Sequence, residues 1–151
     1  MEVTSIQERV PLAHQDPGLF YAFLPLQVLL YIHTRYSVAF GILTLALLIY
    51  KAEELVFPDH ALGGESFLWV LFLTLEPLRL YAGYMGNAVA SGKALLAFDG
   101  LTLLVAAMHV YWLWWQVWVF HLDWILSWIA ITLLFLEFVM ASKVLAQVQN
   151  R

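Results

Sequence analysis

The sequence predicts an all-α integral membrane protein, a four-helix bundle with both termini in the cytosol. Three observations carry that reading: an apolar composition, four hydrophobic segments of spanning length, and basic residues gathered on one side of them. The 151-residue chain is 63% hydrophobic and 12% charged, with a mean hydropathy of +0.80. Soluble domains run at about 45–50% apolar and about 25% charged. The length fits four spans of about 20 residues joined by short connectors, with no room for a separate soluble domain.

The segments follow in order. Residues 1–20 are polar, broken by Pro11, Pro17 and Gly18, and read as a cytosolic tail with a short surface helix. Glu2 and Glu8 precede any apolar run, unlike a positively charged signal peptide or an acid-poor presequence, so insertion is expected through the first span. A single transmembrane domain, 21–148, follows. Span one covers about 24–50, with Pro25 placed in its first turn. The connector 51–65 holds Lys51, Glu53, Glu54, Pro58, Asp59, His60 and Glu65 and reads as a hydrophilic loop. Span two covers about 66–86 and is expected to stop at Gly86-Asn87, two good helix-ending residues. Pro77 removes one of its backbone hydrogen bonds and is expected to kink it. Span three covers about 94–119, Phe120–Asp123 forms a tight turn, and span four covers about 124–147, leaving 149–151 as a cytosolic C-terminus.

Orientation rests on Arg9, Lys93, Lys143 and Arg151, which fall on one side, while the opposite connectors hold Lys51 beside several acids. Cationic loops stay inside, which places both termini in the cytosol. Trp69, Trp112, Trp114, Trp115, Trp118, Trp124 and Trp128 all fall in the outer half, as an interfacial aromatic belt would.

Charges within the spans are the most telling residues. Each costs roughly 2.5–3.5 kcal/mol on insertion scales, so it needs a partner. Counting about 1.5 Å of rise per residue puts Arg35 roughly 13 Å deep, Arg79 and Glu76 roughly 10 and 15 Å, and Glu137 roughly 15 Å, all in the cytosolic half. Arg35, Glu76, Arg79 and Glu137 are therefore expected to form one intramembrane cluster that fixes helix packing. Asp99 either joins as a third acid or faces water. Glu76, Arg79, Gly83 and Gly86 share a helix face. Gly83 and Gly86 are expected to mark the closest helix approach, with Gly83 better explained as a contact and Gly86, beside Asn87, as a cap.

Other chemistry is weakly supported. A haem would need two histidines at matching depth on facing helices, and His33, His109 and His121 do not match; His14 and His60 lie in solvated segments. With no cysteine there is no disulfide framework or thiolate site. Nucleophile and phosphate-loop motifs are lacking, and the net charge of −4 offers no basic patch for nucleic acid. No catalytic residue, cofactor or metal is expected.

The run Leu75-Glu76-Pro77-Leu78-Arg79-Leu80-Tyr81-Ala82-Gly83-Tyr84-Met85-Gly86-Asn87 resembles the signature of the ciliary tetraspan family that includes transmembrane proteins 17, 80, 138 and 216. Leu24-Pro25-Leu26-Gln27 is similar to the start of the transmembrane protein 17 branch. The similarity covers about 24–147. It implies a non-enzymatic scaffold subunit of the transition-zone complex at the ciliary base, alongside tectonic-like and B9-domain proteins, contributing to a membrane diffusion barrier and ciliogenesis. Membrane lipids and other transmembrane subunits are then the partners. Two alternatives stand beside this one: an accessory subunit of another large membrane complex, such as a respiratory one in the mitochondrial inner membrane, and a proton-coupled transporter or channel component using Glu76 and Glu137.

Overall fold

The computed structural model describes residues 17–150, and the expectation for residues 1–16 lies outside them. Among the described residues there are four helices and no strand: α1 (Pro17–Glu54), α2 (Ala61–Ala88), α3 (Gly92–Trp114) and α4 (His121–Gln149). Each is long and apolar enough to cross a membrane. A spanning segment must satisfy every backbone polar group internally, and a helix does so residue by residue. Short connectors make neighbours antiparallel, and the helices close a ring in the order α1, α2, α3, α4, with α2 and α4 also approaching across the diagonal. One end of the bundle gathers the connectors 55–60 and 115–120. The other gathers the start of α1, the end of α4 and the connector 89–91.

Several boundaries depart from expectation. Helix α1 begins at Pro17, so Pro25 lies inside it rather than in its first turn. Helix α1 also runs on through Lys51 to Glu54, so the polar connector shrinks to 55–60. His60, in a left-handed conformation with φ 68°, turns the chain into α2. Helix α2 contains Pro77 and passes through Gly86 and Asn87 to Ala88; the left-handed residue that follows is Ala90, φ 50°. Ser91 then caps α3, its hydroxyl accepting from the Ala94 amide at 3.5 Å. Helix α3 ends at Trp114, earlier than 119, and 115–120 is irregular. Asp123 opens α4 by accepting from the Phe120 amide at 2.9 Å.

The interior consists of two apolar clusters. Toward the termini, Phe23, Leu26, Leu30, Leu80, Leu95, Phe98, Ala141 and Val144 pack together. Toward the connectors, Phe40, Phe72, Val105, Met108, Trp112, Leu126 and Leu134 form the second. Trp112 is thus a core residue rather than part of a belt, edge-on to Phe72 and to His109. Trp114, Trp115, Trp118, Trp124 and Trp128 are exposed around the connector end, as interfacial tryptophans are.

Candidate functional site

Between the two apolar clusters three helices converge on one guanidinium. Glu76 and Arg79 are three residues apart, so both side chains leave the same face of α2. Arg79 binds Glu76 through two parallel bonds, Nε to Oε2 at 2.8 Å and Nη2 to Oε1 at 2.7 Å. Its Nη1 reaches across to Glu137 Oε2 of α4 at 2.5 Å. From α1, Ser37 donates to Glu76 Oε1 at 2.7 Å, and His33 places Nδ1 2.9 Å from Glu137 Oε1 and 3.2 Å from Arg79 Nη2. Phe98 of α3 lies under the guanidinium, 5.3 Å from ring centre to carbon. Arg79 and Glu137 are fully buried.

The geometry suits a rigid network. Forked arginine–carboxylate bonds are stronger and more directional than neutral ones. Two carboxylates face one guanidinium, and the His33 ring lies beside all three groups. Nδ1 faces both Glu137 Oε1 and Arg79 Nη2, and the ring's tautomer sets whether it donates to the one or accepts from the other.

Of the four residues expected to cluster, the structure brings Glu76, Arg79 and Glu137 together and leaves Arg35 out. Arg35 projects from the opposite face of α1, exposed, with its guanidinium 5.4 Å over the Tyr31 ring. Depth along the helix was matched, but direction around it was not. His33, two residues earlier, supplies the α1 contribution. Asp99 stands apart from the network, buried between α3 and α4, where Ser142 donates to its Oδ2 at 3.3 Å.

Gly83 sits where three helices meet. A Cβ there would lie 2.8 Å from the Phe98 ring and 3.0 Å from Leu30. Gly86 is a contact as well, not a cap: its Cβ would fall 3.0 Å from the Leu95 backbone nitrogen. Asn87 bridges to α1, its Nδ2 donating to the Phe23 carbonyl at 3.1 Å and Gln27 Oε1 at 2.9 Å.

Sequence reading missed a second ion pair at the connector end. Lys51, expected in a solvated loop, is fully buried, and its Nζ donates to Asp123 Oδ2 at 2.5 Å. Glu65, from the same stretch, accepts from the Val117 amide at 2.8 Å and holds the third connector to α2. Trp118 Nε1 donates to the Val56 carbonyl at 3.1 Å, tying the two connectors together. Replacing Lys51 with methionine leaves Asp123 buried and without its cation, and is expected to destabilise the chain by about 3 kcal/mol. Thermal unfolding in detergent checks this; an unchanged midpoint would mean that water already reaches Asp123.

Residues 28–134 match the Transmemb_17 family model, described as a predicted membrane protein. The matched region holds His33, Glu76 and Arg79 and ends just before Glu137. The zebrafish (Danio rerio) transmembrane protein 216 is 33% identical over 103 residues, covering 68% of this chain and 64% of that protein. The human (Homo sapiens) protein of that name is 29% identical and the mouse (Mus musculus) one 30%, each over 68% of this chain and over 71% and 73% of their own lengths. The chain thus spans just under two thirds of the zebrafish relative. No solved structure matches. These relatives carry the 216 name, so the assignment stands at the family rather than at the transmembrane protein 17 branch. With four apolar spans and a family match over most of its length, the chain belongs to the Transmemb_17 family of membrane proteins.

Proposed function

We propose that this protein is a non-enzymatic scaffold subunit of a membrane complex at the ciliary base, with both termini in the cytosol. The observation that carries the reading is the buried network around Arg79. Its charged groups are spent on one another, from three helices, rather than arrayed along a path. Such an arrangement holds helices in one register. A proton- or ion-transport reading through Glu76 and Glu137 needs water at those carboxylates, and they are 3% and 0% exposed. The ciliary part rests on the family and on relatives named transmembrane protein 216. Tectonic-like and B9-domain proteins are the partners this reading implies, and a contribution to the diffusion barrier is the role.

Localisation tests it. A tagged full-length chain in ciliated cells is expected at the ciliary base, and a mitochondrial signal would transfer the protein to the respiratory alternative. Orientation has its own test. Glycosylation acceptors engineered into 55–60 should be modified, whereas acceptors appended to the tails should not; the opposite pattern inverts the topology.

A further inference from the structure

The ring of helices has one wide seam. Between α1 and α2 a cleft of about 640 Å³ opens sideways toward the lipid, walled by Val38, Gly41 and Ile42 on one side and Leu73, Pro77 and Tyr81 on the other. Along α2 it extends from Trp69 to Tyr84, about 22 Å at the helical rise of 1.5 Å per residue. The groove is elongated and walled almost wholly by apolar atoms. Its length and apolar walls suit a hydrocarbon chain lying along α2. The polar atoms at its floor are already engaged, Ser37 with Glu76 and Thr34 with Tyr84. Nothing there calls for a polar ligand.

One wall of the cleft continues into a cation. Tyr31, Arg35, Val38 and Ile42 form one exposed stripe of α1, at helical spacing. Among the described residues no carboxylate lies within ion-pair distance of Arg35. Helical side chains lean toward the N-terminus, and the Arg35 guanidinium accordingly lies over Tyr31. Tyr31 is one turn, about 6 Å, from the level at which Gln27 and Asn87 close that end of the bundle. An exposed arginine in a span is costly unless its head reaches an anion at the interface.

We infer that α1 and α2 form a phospholipid site, with the headgroup phosphate on Arg35 and one acyl chain in the cleft beneath it. The site is independent of whether the complex is ciliary. Cation and cleft share a wall, and a phospholipid is the membrane constituent that offers an anion and a chain at that separation.

The test uses the full-length protein in nanodiscs carrying phosphatidylglycerol with a photoreactive acyl chain, and in parallel a diacylglycerol with the same chain and no phosphate. Crosslinks mapped by mass spectrometry should concentrate on the stretches 38–42 and 73–81. Phosphatidylglycerol should label them about fivefold more than diacylglycerol, as one basic residue near the surface supplies about 1 kcal/mol. Arg35→Gln should abolish that preference while diacylglycerol labelling persists. Val38→Trp, or Ile42→Trp in its place, should fill the cleft and cut labelling of Leu73 and Tyr81 with either lipid. These positions are exposed, so the bundle should keep its circular dichroism. Even labelling of the lipid-facing Leu103 and Phe135, equal labelling by the two lipids in the unaltered chain, or an unlabelled cleft would each overturn the site.

Discussion

Replacing Arg79 with leucine is expected to be among the most damaging single changes in this protein. The guanidinium satisfies Glu76 through two bonds and Glu137 through a third, all out of reach of water. Its removal strands two carboxylates between two apolar clusters, and breaking a buried pair by deleting one partner costs about 3–5 kcal/mol. A domain's whole stability is about 5–15 kcal/mol, so Arg79→Leu should fail to accumulate and fail to enter a complex. The sharper measurement is rescue. Replacing Glu76, Arg79 and Glu137 together with apolar residues of similar size should recover most of the thermal stability, because an all-apolar substitute for a buried ion network is often neutral or better. Normal abundance of Arg79→Leu alone would show that the site is wet.

The second large effect is expected at the paired glycines of α2. Leucine at position 83 must displace Phe98, a fully buried ring that supports Arg79, and Leu30 behind it. At position 86 the obstacle is the backbone of Leu95, which cannot rotate aside. Overpacking costs typically 1–3 kcal/mol and more where backbone must move. The helix-propensity gain over glycine, about 1 kcal/mol at best, does not offset it. Gly86→Leu should therefore be at least as harmful as Gly83→Leu, and Ala82→Leu, on a half-buried neighbouring face, milder than both. Unfolding midpoints of the three variants decide the order. Equal midpoints for Ala82→Leu and Gly83→Leu would remove the close approach from the account of this fold.

Helix number and type were legible because apolar runs of spanning length leave few alternatives. The ion network was legible in part, since depth can be counted along a sequence and charges at one depth need one another. What a count of depth lacks is azimuth. Arg35 and His33 differ by about 200° around α1, and only the packing of α1 on α2 and α4 decides which of them turns inward. Lys51 was hidden by its neighbours: next to Glu53 and Glu54 it looks solvated, and its partner Asp123 lies beyond two further spans. Gly86 was misread because Gly-Asn is a good helix ending. The approach of Leu95, across the connector 89–91, is what uses the glycine instead.

The spacing of the network along the chain also sets an order of construction. Synthesis runs from the N-terminus, so α1 and α2 enter the bilayer while Glu137 is still unmade. At that stage Arg79 travels with Glu76, three residues away on the same helix, and the pair enters hydrocarbon as a near-neutral unit. Glu137 arrives later with no carboxylate-neutralising cation of its own within the apolar stretch of α4, and finds one in the guanidinium already in place. Closure of the fourth helix onto the first three is then an electrostatic capture. A half-made chain, cut before α4, would hold the Glu76 bonds of Arg79 and lack only the one from Nη1 to Glu137.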